Sequence, residues 1–366
     1  MGYVAVKGGA EAIREAARAL ELVRAAAGGP PLDLAQIEHQ LHFLHGRVMS
    51  EGGLADPVLV ALAIKQALGD PLEAALYLRA YRSTRPRLAE TLPSDTGRMR
   101  LVRRISAAFK EVPGGQMLGA TPDYLHRLFR FELLEEDRAA LERILADWLA
   151  GPVGELPGPT APKVLDALRA EGLVPPLEPS AEPAFDITRT PLTFPVPRSA
   201  ALAIMARGET GGLLTLAYSK MRGYGDIHPT VGELRVGYLP VELPHPVTGE
   251  PVEVGEVLLT ECEIVAMFTR EGKGPPRFTV GYGACLGHNE VKAIAMAVLD
   301  RAMTAAAAAG PKNPSEDPDF VLLHVDGIEA QGFCIHYKMP HYVTFQSDMD
   351  RLRRARAEAC LLYTSP

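Results

Sequence analysis

Cysteine is scarce in this 366-residue chain: four residues, with no C-x-x-C pair among them. That argues for reduced thiols and a cytoplasmic protein rather than a disulfide framework. No apolar run reaches the length of a membrane span, and Met1 to Lys7 lacks the long apolar region of a signal peptide. Excess positive charge is missing too. Lys and Arg number 38 against 45 Asp and Glu, a formal net charge of −7 that disfavours broad nucleic-acid binding, although local basic patches remain. There is no G-x-S-x-G, no H-E-x-x-H and no kinase or dehydrogenase signature, and no internal repeat stands out. What is present is 47% hydrophobic residues, enough for real cores, over a length that suggests two domains.

Read in order, the chain is helical first. A helix is expected over Ala10–Ala27, closed by Gly28-Gly29-Pro30-Pro31, and a second over Leu34–Met49. The second carries His39, His42 and His45, which steps of three fan out around a helix rather than stack. Asp56-Pro57 and Asp70-Pro71 each pair an N-cap with proline at the first helical position and open two more helices. A basic zone follows, from Arg79, Arg82, Arg85 and Arg87 to Arg98, Arg100, Arg103, Arg104 and Lys110. It reads as a solvated helix face or as a docking face for a triphosphate, because guanidinium forks match phosphate oxygens. A glycine loop, Pro113–Gly119, precedes a helix opened by Thr121-Pro122-Asp123, and helices continue through Trp148. From 151 to 198 prolines become frequent and only Pro162–Glu171 keeps helical periodicity, which suits an arm laid across a partner.

The second half, 199–358, begins with two helices and then turns to strands: one ending near Val241, then Glu256–Phe268, Arg277–Gly281, Phe320–Val325 and Gly332–Lys338. The expected fold is α+β: a mainly helical domain over 1–150, the Pro-rich arm, and a mixed sheet with helices. A charged helix, Phe345–Glu358, closes it. The end from Cys360 breaks that pattern, and 359–366 is set aside as a non-native tail.

Three stretches carry possible chemistry. In the first, β-prone Phe278-Thr279-Val280 runs into a glycine-rich turn holding Gly281, Gly283 and Gly287, then His288, an N-cap at Asn289 and a helix containing Lys292. A turn of this kind offers bare N–H groups and a positive helix end to an anion. Its G-x-G-x-x-x-G spacing is one residue longer than the dinucleotide fingerprint, and tight strand-to-helix packing is the plain alternative. In the second, Arg222 to Arg235 brings a cation, Asp226, His228 and Glu233 into a short span. That set suits chemistry at an anomeric carbon, unless it is a Gly/Pro turn with local salt bridges. In the third, strand alternation places Cys334, His336 and Lys338 on one face, and Pro340 lets the chain bend so that His341 returns toward His336. Two imidazoles held so can ligate zinc, or simply donate hydrogen bonds.

Several of these stretches, with Tyr3–Gly9, Ala63–Ala67, Arg103–Ala107, Pro113–Gln116, His228–Gly237, Gly287–Glu290 and Lys338–Val343, together resemble the I subunit of the bacterial carbon–phosphorus lyase core complex (the PhnI family) up to about Glu358. The resemblance implies a subunit that acts with G, H and L subunits to displace adenine from ATP by a phosphonate. The J subunit then cleaves the resulting ribose 1-phosphonate 5-triphosphate. It implies purine nucleosidase activity for the subunit alone, Mg2+ with ATP, and a zinc site shared with J, here His336 and His341. It also implies two copies per complex, an ABC-type K subunit beside L, and no membrane or nucleic acid. A mainly scaffolding role is the alternative. Asp226, His228 and Glu233 are expected at the ribose and departing base, with Arg222, Gly281, Gly283, Gly287, His288 and Lys292 around the triphosphate.

Overall fold

The protein is described from a computed structural model, covering residues 9–26, 28–151, 162–177, 183–223, 228–269, 274–307, 309–339 and 341–364. In chain order the elements are α1 (Gly9–Ala25), α2 (Leu34–Gln40), α3 (His42–Gly52), α4 (Pro57–Gln66), α5 (Pro71–Ser83), β1 (Arg100–Ile105), α6 (Arg138–Ala150), α7 (Val164–Ala170), α8 (Arg198–Arg207) and α9 (Thr210–Tyr218). Then come β2 (Thr230–Pro244), β3 (Pro251–Thr269), β4 (Arg277–Leu286), α10 (Glu290–Ala306), α11 (Pro318–His324), α12 (Gly327–His336) and α13 (Tyr342–Thr364). The fold is α+β, as expected. One compact unit spans Leu34–Asp326; the other collects the two chain ends, to Asp33 and from Gly327.

The caps behave as the sequence predicts. Asp56 and Asp70 accept from the N–H groups of Leu59 and Glu73, each ahead of a proline at the helix start. The expected Leu34–Met49 helix breaks at Leu41 instead, so His42 begins a new helix. Helices α2 to α5 close around one core that includes Ile37, Val48, Val60, Ile64 and Leu78.

The sheet is antiparallel, ordered β1-β2-β3-β4, not mixed. Its first strand comes from the basic zone, where a charged helix face was expected. Arg104 faces Arg235, and Leu234, Val236, Cys262 and Ile264 alternate with Glu233, Arg235, Glu261 and Glu263. Leu234, Cys262 and Ile264 pack with α8, α9, α10 and α11 in a core that includes Met205, Leu213, Met296, Leu299 and Val321.

The charged face is buried as well, beneath α7. Arg104 Nε lies 2.5 Å from Glu233 Oε1, whose other oxygen accepts from Val164 N at 3.0 Å. Glu261 accepts from Lys163 Nζ at 2.8 Å, Arg235 Nε at 3.0 Å and Tyr282 Oη at 3.0 Å, and Arg169 reaches Glu263 at 2.9 Å. Buried charges survive only when paired in this way. One segment of the Pro-rich stretch is thus pinned to the sheet by ion pairs and by Leu165 and Leu168 against Val265 and Val280.

Two expectations about strands are corrected. Phe320–Val325 and Gly332–Lys338 fall in α11 and α12; runs this short and apolar are compatible with either period, and Asp317 with Pro318 caps a helix here. Thr121-Pro122-Asp123 opens no helix. Helix α13 runs on to Thr364, past the point where the sequence pattern breaks.

Candidate functional site

The glycine run is strand rather than turn. Gly281 and Gly283 lie inside β4, opposite Ile264 and Cys262, and α10 packs directly on their backbone. A Cβ at Gly281 would stand 2.0 Å from the Ala297 carbonyl oxygen, and one at Gly283 2.1 Å from that of Ala293. These glycines are there for close helix–strand approach, the plain alternative, and not to cradle phosphate. Only Gly287 takes positive φ, at 76°. Asn289 then caps α10 by accepting from Lys292 N, as predicted.

Lys292 is enclosed. Its Nζ donates to Ser50 Oγ at 2.7 Å and to the Ala206 carbonyl at 2.6 Å. Burial pulls its pKa down to about 8. A triphosphate has no access to a side chain with 0% exposure. Glu233 is likewise committed to Arg104 and the start of α7. Arg222 and His228 are exposed, and Asp226 lies outside the described residues. The expected ribose and triphosphate sets are therefore not gathered in one cleft by the described residues.

What the fold does gather is a different set. Positions 42, 46 and 50 share one face of α3, four residues apart. Gly46 and Gly287 let the helix approach the β4–α10 turn so closely that a Cβ on Gly287 would meet Gly46 O at 2.4 Å. On one side of that contact Ser50 meets Lys292; on the other, His42 Nε2 lies 2.9 Å from His288 Nδ1. His288 Nε2 lies 2.7 Å from Glu290 Oε1, and Glu290 is 2.8 Å from Arg103 Nε. Arg103 also pairs with Asp123 at 2.5 Å, although its own exposure is 0%. The β1 bulge between Leu101 and Arg103 leaves Val102 without a register partner and sets Arg103 opposite Val236.

A cavity of about 220 Å³ opens beside these groups, walled by Val102, Val236, Tyr238 and Leu258 with His42 and His288 at one end. The pKa of His42 is lowered, first by burial and then by His288, His45 and His39. A carboxylate cannot donate, so Glu290 fixes the proton of His288 on Nε2, and His288 Nδ1 accepts from His42 Nε2. The result is a carboxylate–imidazole–imidazole relay ending at a cavity. In the sequence His42 stands out only as one of three histidines and His288 only as an anion contact. Nothing local signals their meeting, which depends on two glycines 241 positions apart in sequence.

In the other unit, His336 ends α12 and a turn brings His341 back, with the two Nε2 atoms 3.2 Å apart. The return runs from a helix end, not from a strand. His341 Nδ1 donates to the Met339 carbonyl at 2.6 Å, which leaves the lone pair on Nε2, facing His336. Among the described residues no three His, Cys, Asp or Glu side chains are grouped as a metal site.

The family described as "Bacterial phosphonate metabolism protein (PhnI)" matches residues 2–359. A Stutzerimonas stutzeri protein, HtxH, is 64% identical, covering 98% of this chain and 97% of its own. The Escherichia coli K12 protein "Alpha-D-ribose 1-methylphosphonate 5-triphosphate synthase subunit PhnI" is 47% identical over 97% of this chain and 99% of its own. Its namesake from Rhizobium meliloti is 43% identical, over 97% and 95%.

Proposed function

The chain belongs to the bacterial phosphonate metabolism (PhnI) family, and from that premise we propose that it is the glycosyl-transferring subunit of a ribose 1-phosphonate 5-triphosphate synthase in a carbon–phosphorus lyase system. In this reading ATP, with Mg2+, is the substrate. The bond between C1′ and the purine breaks, its electron pair leaves with the base, and a phosphonate oxygen closes on C1′. Water in place of the phosphonate gives nucleosidase activity. The partners are G, H and J subunits and the ABC-type K and L subunits, two copies of this chain per complex, in the cytoplasm. The observation that carries the reading is end-to-end likeness to two proteins named as subunits of that synthase.

The test is incubation of the purified chain with ATP and methylphosphonate, with and without G, H and L, following free adenine and the sugar product. Adenine release that depends on this chain is expected. Its absence under every combination would overturn the assignment.

His336 and His341 fit a zinc ion. Two nitrogens at about 2.0–2.1 Å from a tetrahedral zinc lie about 3.3 Å apart, close to the spacing found. Zinc there supplies Lewis-acid polarisation of a bound oxygen. The remaining ligands would come from the J subunit, water or substrate. The chain purified with its J partner should contain zinc that a His336→Ala/His341→Ala chain lacks; equal zinc content in both would remove the site.

A second reading, mainly scaffolding, is favoured by the exposed apolar surface of 124–149. Phe129 is 89% exposed, Leu134 83% and Trp148 83%, as a partner-covered segment would be. In that incubation the arm holding this chain alone separates the two readings, because a scaffold without its partners gives no adenine.

A further inference from the structure

The cavity beside the His42–His288–Glu290 relay is unassigned by anything above, and its properties select a ligand. At about 220 Å³ it is smaller than the roughly 300–1,000 Å³ typical of sites that enclose a drug-sized ligand whole. One fused ring system fits, and a nucleoside triphosphate does not; sugar and phosphates would stay outside the mouth. Val102, Val236 and Leu258 give it apolar walls and Tyr238 contributes a ring, with the Arg100 guanidinium over that ring at 4.5 Å, surroundings that suit an aromatic heterocycle.

Charge argues the same way. Arg103 is the cation at the cavity, and two carboxylates, Asp123 and Glu290, already meet it. The local balance is negative, which repels a phosphate but suits a ring that gains a proton.

We propose that this cavity receives the purine ring of the nucleoside substrate and that His42 is the residue that hands a proton to the departing base. The inference rests on the glycosyl-transfer reading and adds to it a base pocket and an acid. With Glu290 holding the His288 proton on Nε2, and His288 Nδ1 accepting from His42 Nε2, the remaining protonation site of His42 is Nδ1. As the C1′–N bond breaks, its electron pair moves to the purine and the Nδ1 proton moves to a ring nitrogen of the base. His42 is left neutral, still bonded to His288, and regains a proton from water. The phosphonate or a water oxygen takes the vacated position on C1′.

The surroundings tune this group from several sides. Burial and the imidazoles of His288, His45 and His39 weaken the hold of His42 on its proton, so the imidazolium is a stronger acid than a free histidine. His288 and Glu290 keep its ring oriented, and the His42 ring stands edge-on to Phe43 at 5.3 Å and to His288 at 5.1 Å. His42 is thus a catalytic residue, whereas His288 and Glu290 are positioning residues.

The experiment uses the full chain with the subunits that support adenine release. His42→Ala should lower kcat for that release on the order of 100-fold with little change in KM for ATP, and added imidazole should restore part of the rate. Ala120 lines the cavity from an exposed loop, so Ala120→Trp should fill the mouth without disturbing a core and abolish calorimetric binding of free adenine. If both variants release adenine at the parent rate, the inference falls while the glycosyl-transfer reading stands. If adenine binds the parent chain, and Ala120→Trp abolishes that binding, the pocket assignment is supported even where no combination of subunits releases base and that reading fails. A parent chain that binds no adenine overturns the pocket.

Discussion

Replacing Gly281 or Gly283 with alanine is expected to destabilise the Leu34–Asp326 unit by about 3 kcal/mol or more, toward the upper end for overpacked sites. The atoms that the new methyl would meet are backbone, the carbonyl oxygens of Ala297 and Ala293, at 2.0 and 2.1 Å. Backbone in the middle of α10 cannot swing aside as a flexible side chain can. Helix and strand would have to separate, opening the contacts of Met296 and Leu299 with the sheet. Gly223→Ala is the control, because nothing lies within 4 Å of a Cβ there. Denaturant midpoints of the three variants at unchanged slope measure the effect. Should Gly281→Ala match Gly223→Ala, the packing account of the glycine run is wrong.

The second large effect is expected in the ionic layer under α7. Glu233→Ala leaves Arg104, at 2% exposure, without a carboxylate and facing the Pro113, Gly115 and Pro162 carbonyls. Removing one partner of a buried pair costs about 3–5 kcal/mol. The double change Arg104→Met/Glu233→Leu should recover much of that loss, since two apolar groups need no partners. A double variant less stable than Glu233→Ala would mean that the charges stabilise the sheet outright.

The same layer gives a pH signature. Burial opposes the charge on Glu261, but Arg235 and Lys163 outweigh it and hold the carboxyl at about 2, below its ordinary 4.5. A depressed folded value contributes stability that is complete above the unfolded pKa and is lost as pH falls through the folded one. Glu261→Gln should therefore be less stable than the parent at neutral pH, and the gap should shrink between pH 4.5 and about 2. A gap that stays constant across that window would show that the ion pairs of Glu261 contribute nothing through its charge.

Much of the fold was legible in the sequence for local reasons. Asp-Pro steps named two helix starts, Asn289 named the start of α10, and the strands expected to end near Val241 and to run over Glu256–Phe268 fall within β2 and β3. Those signals are short-range: a cap needs three residues and a strand face needs every second one. Where the local signal was ambiguous, it misled. Phe320–Val325 carries residues that either period accepts, and the arginines of β1 hid a strand beneath the pattern of a solvated helix. The His336–His341 approach was anticipated, although the bend leads out of a helix.

Alternation by itself determined that one strand face is charged; only tertiary structure decided that this face is buried, because α7 arrives from another part of the chain bearing Lys163 and Arg169. The sequence likewise set three glycines beside a helix start, and packing alone decided what they serve. Two of them admit α10, and the third admits α3 and so joins His42 to His288. Contacts between segments that lie hundreds of residues apart leave no periodicity to read; they follow from which surfaces can approach once every side chain has found its place.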